Sequence, residues 1–62
     1  MKALEVLEHA KQVEAAEAEL LAAQASLDRA ASLLLKAGKD EAAAEVRGQV
    51  FTLRLMRSNY NL

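Results

Sequence analysis

Residues 33–42, Leu33-Leu34-Leu35-Lys36-Ala37-Gly38-Lys39-Asp40-Glu41-Ala42, decide the fold. Gly38 is one of two glycines in a chain that has no proline, and it punctuates an otherwise continuous helical pattern. The residue just past a helix end often takes a positive φ, which glycine adopts without a steric penalty. Lys36 and Lys39 suit the negative pole of the helix that ends here. Asp40 reads as the N-cap of the next helix, with Glu41 in its first turn. The sequence therefore predicts helix 1 over about 3–37, a turn at 38–39 and helix 2 over about 40–58, with Asn59 and Asn61 fraying the end. So short a connection allows only an antiparallel neighbour, and the expected product is an all-α, single-domain helical hairpin spanning 1–62.

Outward from the turn, Val6, Val13, Leu20, Leu27 and Leu34 stand seven apart. Three positions after each comes alanine (Ala16, Ala23, Ala30, Ala37), except that His9 follows Val6. A seven-residue period without Gly or Pro marks one long helix with a seam facing other helices. Alanine at the second seam position lets two backbones come close.

The arms of this hairpin are unequal. At 1.5 Å per residue helix 1 is roughly 50 Å long and helix 2 roughly 28 Å, so residues 3–18 overhang. The overhang holds Leu4, Val6, Leu7 and Val13, and an isolated apolar helix of that length is poorly stable in water. A second copy is the simplest cover, because two-fold dimers are the commonest assembly. Leu4, Val6, Leu7 and Val13 are thus the expected dimerisation residues, and the expected assembly is a four-helix bundle.

Helix 2 carries two apolar faces. Val46, Val50, Leu53, Met56 and Tyr60, flanked by Ala42 and Gln49, form the expected core stripe against Leu20, Leu27 and Leu34. The opposite side holds Ala44, Phe51, Leu55 and Leu62. Gly48 lies near Phe51, where a helical glycine can mark the close approach of another backbone.

Sixty-two residues bury only about 60% of the surface of the unfolded chain, so a monomer of this size is marginal. Small chains gain stability from disulfides, metals or partner subunits. There is no cysteine, and the single histidine, His9, has no second ligand at metal spacing. Oligomerisation remains. The lack of cysteine fits a reducing cytoplasm, and one lysine followed by Glu5 and Glu8 does not suit a signal peptide. The net charge of −1 conceals an asymmetry: residues 1–35 carry three basic and six acidic side chains, residues 36–62 five and three.

Catalytic patterns are absent: no serine has a histidine at a plausible spacing, and no glycine-rich phosphate loop occurs. Glu5 and His9 are a helical turn apart, a spacing that usually gives a surface pair. The expectation is a non-enzymatic protein with no cofactor, no metal and no membrane span. Its best candidate partner surface is Arg47, Phe51, Arg54 and Leu55, since arginine beside an aromatic favours protein interface centres. The expected function is a regulatory or protein-interaction module acting as a homodimer. Two alternatives stand beside it. One is a purely structural subunit of a larger helical assembly. The other is nucleic-acid binding, RNA or DNA, by the arginine face of Arg47, Arg54 and Arg57. Paired helical hairpins of this shape resemble plasmid copy-control proteins of the ROP type, which implies RNA binding; the acidic balance of the chain weighs against it.

Overall fold

The computed structural model describes residues 2–62 as two helices, α1 (Lys2–Lys36) and α2 (Asp40–Asn59), with no strand among them. They fold back on each other as a helical hairpin. The molecule is a rod of 56 × 18 × 9 Å. Its radius of gyration, 15.9 Å, exceeds the roughly 11 Å expected of a compact chain of this length.

Gly38 ends α1 as expected, at φ +78°. The Lys39 amide donates to the Leu34 carbonyl (2.8 Å) and the Gly38 amide to Leu35 (3.0 Å). These two bonds make a Schellman motif, which satisfies carbonyls that the helix end would otherwise leave open. The tight reversal moves the start of α2. Lys39, not Asp40, occupies the N-cap position, and it makes no side-chain capping bond. Asp40 and Glu41 instead lie inside the first turn, where their charges complement the helix dipole.

The far end of α2 is also closed by a Schellman motif, contrary to the expected fraying. Asn61 takes φ +57°, the left-handed region that asparagine tolerates better than most residues. The Leu62 amide donates to the Arg57 carbonyl (2.7 Å) and the Asn61 amide to Ser58 (3.3 Å). Leu62 thereby turns back and is half-buried, rather than joining the outer face with Phe51.

The core is narrow and made of small residues. Ala31, Ala43 and Val50 are its buried members, with Leu20, Leu27, Leu34, Val46, Leu53 and Met56 half-buried around them. Two of the expected core positions of α2 are corrected. Tyr60 is 72% exposed, because α2 ends at Asn59 and Tyr60 lies in the cap beyond it. Ala43 replaces Ala42 at the centre, which means α2 is rotated by a fraction of a turn relative to the stripe read from the sequence.

α2 also sits to one side of the α1 seam. The residues four after each seam position, Glu17, Gln24 and Ala31, are half-buried or buried, while of those three after, Ala16 and Ala23 stay exposed and Ala30 is half-buried. The alanine side of α1 remains open at Ala16 and Ala23.

Candidate interaction surface

Arg47, Phe51 and Leu55 are spaced four apart on α2, and Arg54 lies three beyond Phe51, so helical geometry brings all four onto one side. All four are exposed, with Phe51 62% and Leu55 50% accessible. At about 100° per residue Phe51 and Leu55 point well away from the buried Val50, while Arg47 and Arg54 lie between them and the buried stripe. The result is an apolar pair flanked by two guanidinium groups, with no role in holding the hairpin together. Gly48 lies one turn before Thr52, whose hydroxyl donates to the Gly48 carbonyl (3.0 Å). A Cβ added at Gly48 would meet nothing within 4 Å. The close backbone approach expected there does not occur within the hairpin.

The three arginines do not act together. Arg57 is half-buried and folded against the hairpin. One of its terminal nitrogens donates to Oε1 of Gln24 on α1 (3.3 Å) and the other to the Leu62 carbonyl (3.0 Å). Its Nε is buried without a partner. Arg57 therefore ties the end of α2 to α1, and the arginine face contracts to Arg47 and Arg54. Sequence reasoning missed this role because the turn at Asn61 that brings the Leu62 carbonyl back was not anticipated.

The four expected dimerisation residues do not share a face. Val6 and Val13 continue the side of α1 that α2 covers further along, whereas at about 100° per residue Leu4 projects from nearly the opposite side and Leu7 from a side roughly a right angle or more away. Val6 is 67% exposed, since the Arg57–Gln24 pairing sets a register in which α2 reaches back only to about residue 20. Val13, nearer that end, is half-buried.

A second surface was not singled out from the sequence. Ala23 and Leu27 of α1 and Gln49, Thr52, Leu53 and Met56 of α2 line a shallow, largely apolar groove along the open side of the hairpin. The alanines three after each seam position were its sequence signal. The groove and the Phe51 face lie on different sides of α2.

Neither helix is long and apolar enough to cross a membrane, and among the described residues no three of His, Cys, Asp or Glu gather to hold a metal ion. The chain matches no family model, no characterised protein and no solved structure at a significant level.

Proposed function

We propose that the chain is a small non-enzymatic protein-interaction module of regulatory type, acting as a helical homodimer and docking a partner protein through Arg47, Phe51, Arg54 and Leu55. The observation that carries this reading is the exposed Phe51–Leu55 pair, with Arg47 and Arg54 exposed along one edge of it, on a side of α2 that the hairpin does not use. Burying each of these side chains is worth about 1.5–3 kcal/mol, and an arginine-rimmed aromatic suits an apolar patch edged with carboxylates.

The test is Phe51→Asp. Circular dichroism should be unchanged, because Phe51 is largely exposed in the hairpin, while co-purification of the partner bound by the wild-type chain should be lost. Loss of helicity would make Phe51 a core residue and end the proposal. Salt dependence separates the nucleic-acid reading: phosphate binding weakens steeply from low to moderate salt, whereas apolar docking hardly changes.

A further inference from the structure

The dimer in that reading has a specific geometry, and we infer that a second copy of this chain lies antiparallel in the groove of the first. The N-terminal half of its α1 fills the space between Ala23, Leu27, Leu53 and Met56. This inference rests on the homodimer part of the proposed function and not on the Phe51 face.

Four observations converge on it. The first is register. Antiparallel pairing of two α1 helices sets Val6 opposite Ala30, Val13 opposite Ala23 and Leu20 opposite Ala16 of the second copy, a large side chain against a small one in these three pairs, while Leu27 meets His9. All three pairs are centred on residue 18. The second is length. The Arg57–Gln24 bond fixes where α2 stops, and Leu62 reaches about residue 18 or 19 of α1. The dyad implied by the seam therefore falls where α2 ends. α2 of the second copy then begins its cover where that of the first gives out, and lies along the unpaired half of α1. Each level of the rod is three helices thick, although the dimer contains four.

The third observation is surface. A compact monomer of 6.7 kDa exposes about 3,900 Å², and this chain exposes 5039 Å². The excess is larger than the ~800 Å² per partner that a stable interface of standard size buries. The fourth is charge. Residues 3–19 carry five glutamates and one lysine, and residues 36–62 carry five basic side chains against three acidic. Parallel pairing would set the two acidic halves side by side, whereas antiparallel pairing sets each beside a part of the other copy that is not acidic. Parallel pairing would also leave both unpaired halves at one end, with no α2 to cover them.

The arrangement leaves Phe51 and Leu55 outside the dimer, so a single molecule can pair with itself and with a partner at once.

Because the chain contains no cysteine, introduced thiols report the geometry directly. A mixture of full-length Val13→Cys and Ala23→Cys chains, oxidised under mild conditions, should give a disulfide-linked pair at twice 6.7 kDa. Val13→Cys alone should give none. Sedimentation equilibrium of the wild type at micromolar concentration should return the dimer mass, and Phe51→Asp should leave that mass unchanged. Cross-linking of Val13→Cys with itself would show parallel pairing and overturn the inference, as would a monomeric wild type. A Phe51→Asp chain that becomes monomeric would show the dimer using the wrong face. A dimer that forms as described while Phe51→Asp still captures the partner would sink the docking face and leave the dimer standing.

Discussion

Replacing Gly48 by alanine should stabilise the protein. Gly48 sits nine residues into α2, exposed and fully helical. Glycine at such a site costs about 1 kcal/mol relative to alanine, chiefly through the backbone freedom it retains in the unfolded chain. The gain is realised only if the new methyl group has room, and here it would meet no atom within 4 Å. The Thr52 hydroxyl bond to the Gly48 carbonyl involves only the backbone of residue 48 and survives the change. For a domain of 60–100 residues, 1 kcal/mol corresponds to a rise in Tm of about 4–8 °C. The assay is thermal unfolding followed by circular dichroism, at a matched protomer concentration because the midpoint of a dimer depends on concentration. A fall in Tm would refute the reasoning. It would mean that a neighbouring chain packs against Gly48, and that the dimer interface lies on the Phe51 side of α2 instead of in the groove.

Gly38→Ala should act in the opposite direction despite equal free space, because φ +78° strains any residue with a Cβ; urea unfolding should show a loss of about 1 kcal/mol. Arg57→Met keeps the aliphatic stem and removes the guanidinium bonds to Gln24 and the Leu62 carbonyl. It should lower stability by about 1 kcal/mol and speed hydrogen exchange at the Asn61 and Leu62 amides, and unchanged exchange would show that Arg57 does not hold the end of α2.

The hairpin itself was legible because its signals are local. Gly38 demands a particular backbone conformation, and the uninterrupted seam on one side of it admits only a helix. The errors arise where a local rule meets a geometry that the rule does not contain. Asp40 has the chemistry of a cap, but the Schellman bond from Lys39 to Leu34 sets the helix start one residue earlier. Asn61 suggests a frayed helix end, although its tolerance of positive φ lets it close the helix. Tyr60 and Leu62 were assigned faces by extending 100° steps past the point where α2 stops being a helix. The core stripe suffered from a different limit. Periodicity tells which residues share a side, whereas the axis of the neighbouring helix decides which edge of that side is covered. The α1 seam shows this directly: α2 lies over Gln24 and Ala31 and leaves Ala16 and Ala23 open. The candidate docking residues were legible as a group on one side of α2. Arg57 was not separable from Arg47 and Arg54 until the fold of the chain end was known.

The smallness of the buried side chains has a consequence for how the chain tolerates change. Ala43 is 0% exposed and Ala31 1%, and Val50, at 4%, is the largest buried residue. In most proteins the damaging core substitutions are truncations, because a lost leucine leaves a cavity. Within one hairpin the half-buried leucines stand at the margins of the contact between α1 and α2, and the alanines are what the two helices enclose. The two alanines set the distance between the helix axes, and a larger group at either would force the arms apart along the whole rod. Bulk, more than hydrophobicity, is what the interior of this hairpin selects against.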